Sequence, residues 1–287
     1  MKSVFPVLTV VAAIVVMWYL AAVPMNAQWA YDRVARADVE LTFSDLVADT
    51  WSQEKPRLPA PHQVAVEVWQ TTVDKKITSK RLLIYHSWIT LSATLVGFAL
   101  GTTLGILLAV GIVYNRVMDM SVMPWVIASQ TIPILALAPM IIVVLNAVGI
   151  SGLLPKAVIS MYLSFFPVAV GMVKGLRSPE VMQLDQMHTW HASASQTFWK
   201  LRLPASMPYL FTSLKVAMAA SLVGAIVGEL PTGAIAGLGA RLLAGSYYGQ
   251  TIQIWSALIM AAALAAVMVS LIGLIQRIVL KRMGMAT

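Results

Sequence analysis

YHSWITLSATLVGFALGTTLGILLAVGIVYN, residues 85–115, contains no Asp, Glu, Lys or Arg. It is longer than the roughly 20 residues with which an α-helix crosses a bilayer. Ser121 to Ile150 and Gly249 to Gln276 are uncharged in the same way. The chain as a whole has 287 residues, 59% apolar and only 11% charged, where an ordinary soluble domain is about 25% charged. These runs describe a polytopic membrane protein. The 14 prolines and 17 glycines argue against coiled coils, and the runs lack the period-2 alternation of barrel strands. Backbone polar groups in lipid must then be satisfied inside helices. The expected fold class is all-α, with six transmembrane helices.

Working outward from residues 85–115, Gly97, Gly101 and Gly105 repeat every four residues, a spacing that lets another helix approach closely. Upstream, Val4 to Val23 is long for the apolar region of a signal peptide and is read as a retained first helix. Its lack of glycine repeats makes it peripheral. Residues 25–82 turn polar, with Asp32, Arg33, Asp38, Glu40, Asp45, Asp49 and three prolines between 56 and 61. Within them Val64, Val68, Thr72 and Val73 stand at helical spacing opposite Glu67 and Asp74, which predicts one amphipathic helix on the membrane surface.

Downstream, a third span from Ser121 to Val148 is interrupted by Pro124, Pro133 and Pro139 and should be kinked or partly unwound. Leu153 to Leu176 is a fourth span, Tyr209 to Val227 a fifth and Ile254 to Ile275 a sixth. A Gly-rich loop from Glu229 to Gln253 joins the last two. With both termini inside, the inner side carries Lys2, Arg116, Lys174, Arg177, Lys200, Arg202, Lys215, Arg277, Lys281 and Arg282. The two short outer loops carry only Lys156 and Arg241, as the positive-inside rule requires. The net charge of +8 therefore reads as membrane-end anchoring, with no nucleic-acid partner. A five-span arrangement with the first helix cleaved or peripheral stays open.

The inner stretch EVMQLDQMHTWHASASQTFWKLRLPASMP, residues 180–208, exposes Met187, Trp190, Phe198 and Trp199 on a surface suited to meeting another protein. It resembles the loop of permease subunits of type I ABC importers, which reads Glu-Ala-Ala, Gly-Ala-Ser and Leu-Pro in that order. Asp185, Gln186 and Met187 stand on the first motif, His191, Ala192 and Ser193 on the second, and Leu203 and Pro204 on the third. Gln186, Met187 and His191 replace the alanine pair and the glycine, on which the close packing of the loop's first helix and its sharp bend depend. The resemblance extends from Tyr85 to Gln276 through Gly97, Gly101, Gly105, Pro133, Pro139, Phe166, Pro167, Gly175, Glu229 and the Gly237 Leu238 Gly239 run. It is nearest to the branch importing nitrate, sulfonates, bicarbonate or pyrimidine precursors of thiamine, in which arginines usually stand where this chain has Ser92 and Ala93.

That resemblance implies the MetI-like permease architecture and a small solute, anionic or heterocyclic, delivered by an extracytoplasmic substrate-binding protein. It also implies partner ABC ATPase subunits binding ATP and Mg, a second permease subunit, identical or homologous, and the bacterial inner membrane as location. Trp190, together with the motif residues Asp185, Gln186, Met187, His191, Ala192, Ser193, Leu203 and Pro204, would form the ATPase-coupling loop. In the sequence itself there is no Gly-x-x-x-x-Gly-Lys-Ser/Thr phosphate cradle, so the chain is not expected to be an enzyme. No cysteine is present, and the His188 and His191 pair is read as part of the docking surface rather than as a metal site.

Other polar residues have two readings each. Glu229 is either a functional acid at membrane depth or a solvated helix-end residue. Gln130 and Asn146 either line a polar path or bond neighbouring helices. Together with Pro133 they are the pathway or gate candidates, and Gly237 and Gly239 the outer-mouth loop. Lys174 and Lys215 read as snorkelling anchors, Tyr247 and Tyr248 as an aromatic belt. The domain plan is a transmembrane helix over 1–24, an extracytoplasmic segment over 25–82, and a five-helix permease core over 83–287 with the cytoplasmic loop 177–208. The alternative is a secondary transporter or channel subunit with no ATPase partner, or a membrane scaffold.

Overall fold

The computed structural model describes residues 4–37, 42–74, 79, 82–231, 234 and 236–285. Lys2, Asp38 and Glu40, and Thr232, Gly233 and Ile235 of the Gly-rich loop, lie outside the described residues. All regular structure among the described residues is helical. In chain order the helices are α1 (Val4–Ala37), α2 (Phe43–Ser52), α3 (Pro61–Trp69), α4 (Leu83–Tyr114), α5 (Arg116–Ser129), α6 (Ile134–Ala147), α7 (Leu153–Leu176), α8 (Val181–Thr189), α9 (Ala194–Thr197), α10 (Leu203–Glu229), α11 (Leu238–Tyr247) and α12 (Thr251–Arg282). Wider π turns over Gln70–Asp74 and Phe198–Arg202 extend α3 and join α9 to α10.

Five helical segments, Phe5–Ala35, α4, α7, Ala194–Glu229 and α12, are long and apolar enough to cross a membrane. The bent pair α5 and α6 makes a sixth span if counted as one. This pair departs from the expected kink, because its halves meet at 99°. Pro133 opens α6 and contributes no N–H, so the last carbonyls of α5 are left without helical partners. One of them, Ser129 O, accepts the Tyr162 hydroxyl of α7 instead. Each half has 14 residues, about 21 Å of helix, too short alone for a hydrocarbon core of about 30 Å.

The chain divides into two compact units, Met1–Ser87 with Ala240–Ala261, and Trp88–Gly239 with Ala262–Thr287. In the first unit, polar composition from residue 25 suggests a helix end at Pro24, yet α1 continues to Ala37. Proline forfeits one i−4 bond there, and burial of Ala22, Asn26 and Ala30 on one face outweighs the loss. The Asn26 amide is the knot. Its Nδ2 donates to Thr50 O and Leu58 O at 3.0 and 2.8 Å, and its Oδ1 accepts from Arg57 N and Leu58 N at 2.8 and 3.1 Å. Trp18 packs against Trp255 of α12, the tilted ring centroids 4.7 Å apart, and donates to Pro59 O. The amphipathic α3 buries Val64 and pairs Glu67 with Arg241 of α11 at 3.1 Å. Burial pulls the Arg241 guanidinium below its ordinary range, and Glu67 opposes that shift.

Asn26→Leu would leave four backbone groups without their partner, each costing about 1–3 kcal/mol if it stays buried. The expected result is cleavage of residues 42–74 by a protease that leaves the parent chain intact.

In the second unit α7 and α10 pack along their length with little more than small residues between them. Gly171 and Gly175 of α7 meet Ser213 and Ser206 of α10, and Gly224 of α10 lies on Ser160 of α7. The contact is sealed by Ser160 Oγ donating to Ser221 O at 2.7 Å. Ser221 Oγ in turn donates to Thr94 O of α4 at 2.9 Å. Lipid offers no hydrophobic drive between helices, so close backbone approach and interhelical hydrogen bonds supply the adhesion. The α4 glycines lie on the same α7 face, against Ala157, Met161 and Phe165. An apolar cluster that includes Ala109, Ile112, Val168, Met172, Leu176 and Ala217 closes the end of these helices nearest residues 177–208.

Candidate functional site

Two features carry chemistry, both in the second unit. The first is the loop after α7. Helix α8 begins at Glu180 with Gln183 Oε1 accepting the Glu180 N–H at 3.1 Å. It ends in a left-handed turn at His191, φ +50°, the only described non-glycine residue with positive φ. His191 N donates to His188 O and Ala192 N to Met187 O, both at 2.9 Å, which is the Schellman arrangement. The bend expected of glycine is therefore kept with histidine in its place, a residue that enters this region more readily than most. Ser193 then caps α9, its Oγ accepting from Gln196 N at 3.2 Å while Gln196 Oε1 accepts from Ser193 N at 2.9 Å. Leu203 and Pro204 follow the π turn directly as the first residues of α10.

The loop is clamped to the helices above it. Arg202 donates to Leu176 O, an orphan carbonyl at the end of α7, at 2.8 Å and lies over the Tyr114 ring of α4 at 5.8 Å. Tyr114 meets Phe198 edge-on, and Arg177 pairs with Asp119 of α5 at 2.9 Å. Between α8 and the π turn lies a hollow of about 500 Å3 lined by Gln183, Gln186, Met187, Trp190, Gln196 and Lys200. Trp190 is 71% exposed at its edge, Met187 is half-buried and Asp185 faces solvent.

His191→Gly should raise stability by about 1 kcal/mol or slightly less, since glycine removes the left-handed penalty but loosens the unfolded chain. His191→Val should do the reverse and unravel the end of α8. Thermal unfolding of the purified chain measures both.

The second feature surrounds Glu229, at the end of α10 and fully buried. This excludes the solvated helix-end reading. Thr90 Oγ1 of α4 lies 3.0 Å from both carboxylate oxygens, and Gly239 N donates to Oε2 at 2.8 Å. Lys156 Nζ of α7 lies 3.7 Å from Oε1 and 3.4 Å from Ala236 O. Thr90 also accepts from Leu238 N at 2.9 Å, so its proton points to the carboxylate. The acid thus stabilises the positive N-terminal end of α11. Gly237, at φ +131°, leaves no room for a Cβ, which would collide with the carboxylate, and a Cβ on Gly239 would meet Glu229 Cβ at 2.8 Å. The two glycines are packed against the acid rather than free in an open loop.

Beside Lys156 is an open cleft of about 520 Å3, with Ser92 and Ala93 of α4, Ile142 and Asn146 of α6, Gly228 of α10 and Ala236 on its walls. Asn146 therefore faces this cleft. Gln130 caps the end of α5, its Nε2 donating to Ser129 Oγ at 3.4 Å, and Pro133 precedes α6 at the bend. Nothing in the local pattern marks Thr90 or Lys156, because their partner Glu229 is remote along the chain.

Residues 101–285 match the family model described as the binding-protein-dependent transport system inner membrane component. The chain is 35% identical over 182 residues to a formylaminopyrimidine transport permease protein of Halalkalibacterium halodurans, covering 63% of this chain and 68% of that one. It is 30% identical over 224 residues to a riboflavin transport system permease protein of Chloroflexus aurantiacus, 78% and 80% covered. A nitrate import permease protein of Synechocystis is 25% identical over 229 residues, with 78% of each chain covered. The ordered glycines, the capped loop and the helical spans agree with these likenesses: the chain belongs to the binding-protein-dependent inner membrane component family and is a multi-pass permease subunit of an ABC transporter for a small solute.

Proposed function

We propose that residues 177–208 are the docking element through which a separate ATPase subunit drives this permease, with ATP and Mg held by that partner. The observation that carries the reading is the clamped, capped loop presenting Trp190 at the rim of a hollow. A rigid turn tied to α4 and α7 by Arg202 transmits closure of a partner into movement of the spans. Asp185, Gln186, Met187, His191, Ala192 and Ser193 form or border the docking helix, and Leu203 and Pro204 join it to α10.

In this reading the loop and both termini face the cytoplasm of a bacterial inner membrane, and residues 25–82 lie outside. α1 has 34 residues, about 51 Å, so its later turns stand beyond the bilayer with α2 and α3. Residues 83–287 are the permease core. It pairs with a second permease subunit, and an external binding protein delivers the solute near Gly237 and Gly239. The relatives' names span nitrate and two nitrogen heterocycles, which sets the range of solutes. Gln130, Pro133, Asn146 and Glu229 border or support the path.

The chain is naturally free of cysteine, so single cysteines at Ser44 and Ser195 report topology directly. In intact cells a membrane-impermeant thiol reagent should modify Ser44→Cys and spare Ser195→Cys. Purification in mild detergent should retain an ATPase subunit. Labelling of Ser195→Cys from outside, or purification without any ATPase, contradicts the proposal.

A further inference from the structure

The hollow between α8 and the π turn is lined by hydrogen-bond donors, and the helix caps decide which way two of them point. Gln183 and Gln196 each give the amide oxygen to a cap, Oε1 accepting Glu180 N at 3.1 Å and Ser193 N at 2.9 Å. An amide whose oxygen is held by a backbone N–H has its flip assigned by that bond. The NH2 end is then the group that each offers to the hollow both side chains line. Lys200 and Trp190 add an ammonium and an indole N–H, groups that donate and do not accept. These four donors have no hydrogen-bond or ion-pair partner among the described residues. Among the described residues lining the hollow there is no Asp or Glu, and Met187, Ala192 and Leu201 give it apolar walls.

We propose that this hollow receives an Asp or Glu side chain of the ATPase subunit, its carboxylate accepting from Gln183, Gln196 and Lys200 and its methylenes resting on Met187 and Trp190. The inference rests on the docking reading above and names the chemistry of the partner at that site. A carboxylate is acceptor-only, and hydrogen bonds to an ionised acceptor are roughly twice as strong as neutral ones. A lipid phosphate is drawn by clustered cations. Here one ammonium stands among neutral donors and apolar walls, which suits an acid carried on a hydrocarbon stem. Gln183 comes from α8, Gln196 from α9 and Lys200 from the π turn, so an acid seated among them ties together both limbs of the His191 turn. The volume of about 500 Å3 admits the side chain with part of the backbone that bears it.

The test uses the permease–ATPase complex purified in mild detergent. Gln183→Glu and Gln196→Glu keep an oxygen for each cap, glutamate being at home in that capping-box position, and replace the NH2 donor by a carboxylate oxygen. The double variant should unfold at the parent's temperature yet bind the ATPase roughly tenfold more weakly or worse, the scale of losing a hydrogen bond to a charged group. Met283→Glu adds a negative charge beyond the end of α12, outside the loop, and should bind as the parent does. In the parent itself a carbodiimide, which joins an amine to a carboxylate in contact, should link Lys200 to an Asp or Glu of the ATPase. Lys200→Gln should abolish that link.

An intact complex that gives no Lys200 link overturns the proposal, and that reading needs no variant to fold. A folded double variant that holds its ATPase as tightly as the parent overturns it too. If that variant loses bound phosphatidylglycerol while the ATPase stays attached, the hollow belongs to a lipid headgroup and the proposal falls. A parent chain that purifies without any ATPase refutes the docking reading itself and the proposal with it, so the two failures are told apart by whether the parent retains its partner.

Discussion

Gly97→Ala together with Gly105→Ala is expected to prevent the chain from accumulating as a folded, monodisperse protein. In an unconstrained helix each change would be favourable by up to about 1 kcal/mol, since alanine is the better helix former. The packing reverses the sign. A Cβ at Gly97 would stand 2.6 Å from Ala157 O, and one at Gly105 would stand 2.7 Å from Phe165 O and 2.8 Å from Val168 Cβ. Backbone carbonyls of α7 cannot rotate away as a side-chain tip does, so α4 must be displaced. Overpacking typically costs about 1–3 kcal/mol per site, and two sites on one seam amount to a large share of a total stability of about 5–15 kcal/mol. Gly273→Ala is the control, since its Cβ would meet only the Lys215 tip at 3.6 Å or beyond, and it should be neutral or stabilising. Size-exclusion profiles and thermal unfolding of the three proteins in detergent decide the matter. Equal behaviour of the double variant and the control would remove the α4–α7 seam from the account.

The second large effect is expected at the loop. Met187→Ala with Trp190→Ala should leave the permease inserted and folded, because Trp190 is exposed and Met187 lines the open hollow beside it rather than a helix seam. Buried aromatic anchors at interfaces commonly contribute about 2 kcal/mol or more. A loss of about 2 kcal/mol corresponds to roughly 30-fold weaker attachment. The ATPase should therefore be lost during purification, and hydrolysis in liposomes should no longer respond to solute-loaded binding protein. If the two side chains merely lay among lipid headgroups, both quantities would be unchanged.

The parts of this architecture legible in the sequence are those that local spacing controls. The span read over Leu153 to Leu176 is α7 itself, α4 begins close to the start of its uncharged run, and the glycine repeat announces a close helix contact because small residues every four positions share one face. The fifth span, expected from Tyr209, instead begins its helix at Leu203, inside the loop motif. The extension of α1 past Pro24 is hidden because the Asn26 knot draws on residues 50–58, remote along the chain. The 99° break between α5 and α6 looks on paper like a proline kink, since the spacing of prolines does not report the angle. At His191 the missing glycine is plain, but its left-handed backbone is not, as that depends on hydrogen bonds closing around it. The pairing of Glu229 with Lys156 and Thr90 is the largest omission. Each residue has an ordinary local reading, and only the fold brings the three together.

The central claim is that a separate ATPase works this chain as a passage, through residues 177–208. It is tested most directly by solute accumulation in proteoliposomes containing the permease and its co-purified ATPase. The account predicts uptake that requires ATP on the face bearing Ser195 and binding protein on the face bearing Ser44, and that disappears with Met187→Ala and Trp190→Ala. Accumulation driven by an ion gradient in vesicles holding this chain without any ATPase would contradict it.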